Sequence, residues 1–119
     1  MAMIKRAITQ DGFIRAYCLD STDICGTAQR YHHTSPVATA ALGRTLTMCA
    51  IMGSLLKGAQ DSLTVLIKGD GPLGGIVATA NSQGKVKGYV YHPQVDIPNK
   101  PNGKLDVSGA IGNGSLSIS

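Results

Sequence analysis

The segment that most constrains this chain runs from Ser35-Pro36 to Lys57-Gly58. A serine hydroxyl satisfies a free first-turn amide, and proline at the first helical position gives up a hydrogen bond that is unmade there anyway. Glycine closes a helix because it takes positive φ without strain. One long helix is therefore predicted between these signals. Within it Leu42, Leu46, Cys49, Gly53 and Leu56 form one stripe, and Ala41, Met48, Met52 and Leu55 form the next stripe round. A helix apolar over so wide an arc has to be covered on several sides, while Ala40, Gly43, Ala50 and Gly53 let its neighbours approach closely. It is placed centrally, packed against sheet. Arg44 and the small polar residues within Val37 to Leu56 would be costly in a bilayer, so no membrane span is expected.

The rest of the sequence is read around that helix. Ile4 to Gln10 and Phe13 to Leu19 flank Asp11-Gly12, a dipeptide suited to a two-residue hairpin turn. Asp20-Ser21-Thr22-Asp23 offers caps and a first-turn carboxylate for a short helix running to about His32. Strands are predicted at Ser62 to Lys68, Gly75 to Ala80, Lys85 to Tyr91, Lys104 to Ile111 and from Ser115 onward. Asn81 to Gly84 and Gly112 to Gly114 read as hairpin turns, and Ile97 to Gly103 as a loop. The expected class is α+β, with antiparallel sheets packed around a central apolar helix.

With 119 residues this is one domain, large enough to bury a core without metals or disulfides. Its 15 glycines and five aromatic residues, Phe13, Tyr17, Tyr31, Tyr89 and Tyr91, predict close backbone packing rather than a bulky aromatic core. The charge of +4 comes as much from the absence of Glu as from excess base, and is too weak to imply nucleic acid as a partner. Met1 to Gln10 interleaves Lys5 and Arg6 with its apolar residues, unlike a secretory signal, so a cytoplasmic location is expected. Cys18, Cys25 and Cys49 fit neither a disulfide framework nor a C-x-x-C clip and are expected to be reduced, buried thiols. Ser-Leu-Ser-Ile-Ser at the end of the chain reads as an uncovered edge strand, from which a homodimer or a strand-exchanged oligomer is expected.

Four features invite a chemical reading. Gly69-Asp70-Gly71-Pro72-Leu73-Gly74 fits G-x-G-x-x-G, but a strand rather than a helix is predicted after it, so a structural turn is expected instead of a nucleotide site. Lys85, Lys87, Tyr89 and Tyr91 alternate onto one strand face, where basic and aromatic residues together suit a nucleic-acid-binding module or a solvated sheet face. His32 and His33 point about 100° apart on a helix and His92 is distant, which argues against a metal site. Cys25 with either histidine lacks an orienting acid at a recognisable spacing. The seven Asp residues fall at predicted turns, caps and strand starts, so no catalytic constellation, cofactor site or metal site is assigned. The expected role is binding rather than enzymatic.

Three blocks carry a family resemblance: His33 to Thr47, Lys68 to Gly75, and Gly84 to Val90 with His92-Pro93. Together with Gly103 to Val107 and Ala110 to Gly112, their order and spacing resemble the N-terminal part of the redox-regulated heat-shock chaperones, the 33 kDa chaperonins. The resemblance implies an ATP-independent holdase that binds unfolding proteins and prevents their aggregation under oxidative and heat stress. It also implies a C-terminal module whose four cysteines hold zinc while reduced and form disulfides on oxidation. Cys18, Cys25 and Cys49 do not match those cysteines, so residues 1–119 are expected to form an incomplete N-terminal core, with no zinc of its own. Tyr89 and Tyr91 are the residues expected to contact client proteins.

Overall fold

The computed structural model describes residues 3–119. In chain order its elements are β1 (Ile4–Ile8), β2 (Arg15–Leu19), α1 (Thr22–His32), α2 (Pro36–Ser54), β3 (Ser62–Gly69), β4 (Gly75–Asn81), β5 (Val86–Val90), α3 (Val107–Ile111) and β6 (Gly114–Ile118). β1 and β2 form an antiparallel hairpin, and the other strands form an antiparallel sheet in the order β5-β4-β3-β6. The expected α+β arrangement, with sheet packed on a central helix, is the one observed.

α2 starts where the sequence places it. Ser35 is the N-cap, its hydroxyl accepting from the Ala38 amide at 3.4 Å, and Pro36 is the first helical residue. The same hydroxyl donates to the Val95 carbonyl and the Ser35 amide donates to Pro93, so the cap also ties the 93–95 segment across the start of the helix. The stop is earlier than predicted, at Ser54, because Leu55 and Leu56 close the last turn through Met52 and Gly53. Gly58 belongs instead to a separate turn, its amide bound by the Asp61 carboxylate.

One face of β3, β4 and β5 meets α2. In register, Leu63 faces Ala80, Val65 faces Ala78 and Ile67 faces Ile76, with Val86, Gly88 and Val90 continuing the rows on β5. Leu42, Leu46 and Cys49 lie buried against this face. Each buried leucine contributes about 1.5–3 kcal/mol by leaving water. Gly53 makes the approach possible, because a β-carbon there would lie 2.8 Å from both the Ala80 Cβ and the Asn81 carbonyl oxygen. α2 is long and apolar enough to cross a membrane by length and composition, yet half of its most apolar window is buried in the fold, as in a core helix.

The prediction that α2 would be covered on several sides holds only in part. α1 packs on one flank, where Gly43 sits against the Cys25 sulfur, but Met48 and Leu55 remain exposed. The sheet covers the stripe of Leu42, Leu46 and Cys49, and α1 is too short to cover the rest of the arc. α1 itself opens on Asp20, whose carboxylate accepts from the Thr22 amide and hydroxyl, and it closes on His33 at φ 51°.

The first hairpin keeps the register that Asp11-Gly12 implies, with Ile8 opposite Arg15 and a last cross-strand bond from the Thr9 amide to the Ile14 carbonyl at 2.9 Å. Asp11 accepts from the Thr9 hydroxyl and the Phe13 amide, and Gly12 adopts φ 77°, so the chain turns through a wider loop than two residues. The hairpin is mostly exposed and meets α2 through β2. The radius of gyration of 15.2 Å exceeds the roughly 13.5 Å expected of a compact chain this long.

Lys104 to Ile111 is the clearest departure from expectation: residues 107–111 form α3 instead of a strand. Asp106 caps it by accepting from the Gly109 amide at 2.9 Å. Five residues cannot hold a helix unaided. The support is tertiary, since Ala110 is fully buried and the amides of Gly71 and Leu73 donate to the carbonyls of Ile111 and Ala110. Gly112 to Gly114 therefore joins a helix to β6 rather than closing a hairpin.

Candidate functional site

The face of the four-stranded sheet turned away from α2 is left open by the described residues. Strand alternation and register assemble it in rows. Ser117, Leu66, Val77 and Tyr89 form the middle row. On one side of it lie Ser115, Lys68 and Gly75, with Tyr91 beyond; on the other lie Thr64, Thr79 and Lys87. Lys85 flanks the start of β5 at the hairpin, where the Asn81 side chain accepts from its amide and from that of Gln83.

Tyr89 and Tyr91 come together as the alternation predicts. Their rings stack with centroids 6.3 Å apart and planes 20° from parallel, and they remain 48% and 42% exposed. The Tyr91 ring lies over Gly75, where a β-carbon would come within 3.0 Å of it. A side chain at position 75 would lift the ring from the sheet. Leu66 and Val77, half-buried between the strands, complete an apolar strip that the sequence reading did not include. The signal for it is the pairing register, which links residues distant in the chain.

Two other places hold chemistry-bearing side chains. A shallow cleft of about 480 Å³ follows the uncovered flank of α2, lined by Cys25, Gly43, Arg44, Thr47, Met48 and Ile51 among others. Thr47 donates to Ser21 across it at 2.6 Å, tying α2 to the start of α1. The three thiols are free but do not share one environment, contrary to expectation: Cys49 is buried, Cys25 half-buried and Cys18 exposed. Cys18 lies on the two-stranded hairpin, where the other described residues leave it exposed. Burial pushes the Cys49 thiol above its ordinary range.

The glycine-rich turn is a strand connection, as predicted. Its Gly71 and Leu73 amides, which a phosphate would need, bind the end of α3, and β4 follows in place of a helix N-terminus. Among the described residues no three His, Cys, Asp or Glu side chains converge as metal ligands. The cysteines, on β2, α1 and α2, do not fit a thiolate zinc site. His32 and His33 lie at the end of α1, and the hydrogen bond that Cys25 makes is to the Ser21 hydroxyl at 3.8 Å rather than to a histidine.

These blocks and this fold recur in known proteins. The family described as Hsp33 protein matches residues 3–119. The 33 kDa chaperonin of Bacillus subtilis (strain 168) is 49% identical over 119 residues, covering 99% of this chain and 40% of that protein. That of Clostridioides difficile (strain 630) is 50% identical over 109 residues, covering 92% and 38%. The crystal structure of the 33 kDa chaperonin from Thermotoga maritima superposes with a TM-score of 0.91 at 34% identity, over 97% of this chain and 39% of that one. This chain thus spans about 40% of the length of the curated relatives it matches. With the family matched over nearly every residue and the fold shared, the chain belongs to the Hsp33 family.

Proposed function

We propose that this chain carries the client-holding core of an ATP-independent, redox-regulated cytoplasmic chaperone, and that unfolding proteins bind the open face of its large sheet. The observation that supports this reading is the stacked, half-exposed Tyr89–Tyr91 pair continuing into Leu66 and Val77 on an uncovered sheet. Exposed apolar surface of this kind binds chains that have lost their own core. Among the described residues no thiol is paired with a histidine and the glycine-turn amides are already bonded, which supports a reading of binding rather than catalysis. Redox control through zinc is assigned to chain outside these 119 residues. There, metal bound to thiolates would stabilise a small module, and oxidation of the ligands would remove that stabilisation.

The test is light scattering from a heat-aggregating client in reducing buffer without ATP. Suppression near stoichiometric ratio is expected from this chain, and its loss is expected in a folded Tyr89→Ser/Tyr91→Ser variant. Undiminished suppression by that variant removes the two tyrosines from the client site.

Self-association belongs to the same proposal. Among the described residues β6 is an edge strand, and Leu116 and Ile118 sit on its α2 side beside Ile67 and Val65, 59% and 49% exposed. Pairing between copies along this edge is expected to appear as a dimer in multi-angle scattering. A monodisperse monomer across a wide concentration range would contradict it.

A further inference from the structure

Resting on the proposal that the open sheet face holds clients, we infer that this face selects them by charge, favouring extended segments in which carboxylates flank apolar or aromatic residues. The apolar strip of Leu66, Val77, Tyr89 and Tyr91 is bracketed by cations on both sides. Lys68 shares a row with Gly75, beneath the Tyr91 ring, and Lys87 lies one row beyond Tyr89, with Lys85 just before the start of β5. All three lysines are exposed. No strand of this sheet contains an acidic residue. The flanking carboxylates are engaged in turns, Asp61 by the Gly58 amide and Asp70 by the Asn113 amide. The face is therefore one of positive potential around an apolar strip. Its other polar groups, Thr64, Thr79, Ser115 and Ser117, are neutral.

A segment lying across the strip would place its own side chains over Lys68 at one end and over Lys87 at the other. Carboxylates there gain attraction at each end, and ammonium groups meet like charge. Because the lysines are solvent-exposed, each pairing changes affinity by a small factor, and salt screens it.

The experiment measures fluorescence anisotropy of three labelled peptides of equal length and equal Leu and Phe content, with Glu, Ser or Lys at the polar positions, against the full chain. At low ionic strength the Glu peptide is expected to bind about tenfold more tightly than the Lys peptide, the product of two or three exposed pairings. High ionic strength should collapse the difference. A Lys68→Ser/Lys85→Ser/Lys87→Ser variant, verified as folded by its unfolding transition, should bind all three peptides alike and keep its affinity for the Ser peptide. Equal binding of the three peptides by the unaltered chain overturns the charge selectivity while leaving the client site in place. If no peptide binds and Tyr89→Ser/Tyr91→Ser leaves aggregation suppression untouched, the inference falls together with the proposed function. Tighter binding of a poly(dT) strand than of the Glu peptide overturns it in favour of a nucleic-acid face.

Discussion

Two glycines inside helices are expected to respond to the same substitution with opposite signs. Gly26 lies within α1, and a β-carbon there would meet only the Arg30 guanidinium at 3.5 Å, an ordinary contact. Gly26→Ala therefore gains helix propensity at no steric cost, worth about 0.8–1 kcal/mol. Gly53 lies one residue from the end of α2, where less of that gain is available, and its β-carbon would come within 2.8 Å of the Ala80 Cβ and the Asn81 carbonyl oxygen. Neither atom is the end of a flexible side chain, so the helix has to move off the sheet. Overpacking of this kind costs about 1–3 kcal/mol and outweighs the propensity term. A chain of 119 residues unfolds with an entropy of about 0.25 kcal/mol per kelvin, so Gly26→Ala should raise the Tm by about 3–4 °C, and the overpacking at Gly53→Ala should lower it by about 4–12 °C, less the small propensity gain. Calorimetric melts of both variants decide the matter. A Gly53→Ala protein as stable as the parent would refute the close contact between α2 and β4 on which the central packing argument rests.

Other outcomes follow from the same structure. Gly71→Val is expected to destabilise the fold by about 3 kcal/mol or more, because its side chain would enter the Ala110 carbonyl, and nucleotides should give the parent chain no thermal shift. The Thr9 hydroxyl and the Phe13 amide hold the Asp11 carboxyl below its usual 3.8. Any stability that these bonds lend the hairpin is expected in full above that value and to be lost as pH falls through the lowered one. The Phe13 amide resonance should titrate with that lowered midpoint, and Asp11→Asn should abolish the titration. Iodoacetamide should modify Cys18 first and Cys25 more slowly, with Cys49 protected until the chain unfolds, as read by mass spectrometry. Labelling of Cys49 at the rate of Cys18 would contradict the packing of α2 on the sheet.

Local signals carried much of this fold. Ser35-Pro36 marks the start of α2 because a cap and a fixed φ need only their own neighbours. The alternation in β3 and β4 identifies strands for the same reason. α3 was hidden because Lys104 to Val107 alternates like a strand, and the helix exists only through partners in the turn after β3, about forty residues earlier. The stop of α2 was misplaced because Gly58, a plausible helix terminator, is used in the Asp61 turn. At the site, Tyr89 and Tyr91 were legible from their spacing on one strand. Leu66, Val77 and Lys68 join them through cross-strand register, which no local pattern encodes. The exposure of Met48 and Leu55 was illegible for a related reason, since composition shows that a face is apolar but not what covers it.

The most direct test of client binding on the open sheet face is amide chemical-shift mapping of the chain as an unfolded client is added. Perturbations are predicted at residues 86–91, at 64–68 and at 77–79, with the α2 cleft around Arg44 and Met48 unchanged. Perturbations confined to that cleft or to the β1–β2 hairpin, while aggregation is still suppressed, would show that clients are held elsewhere.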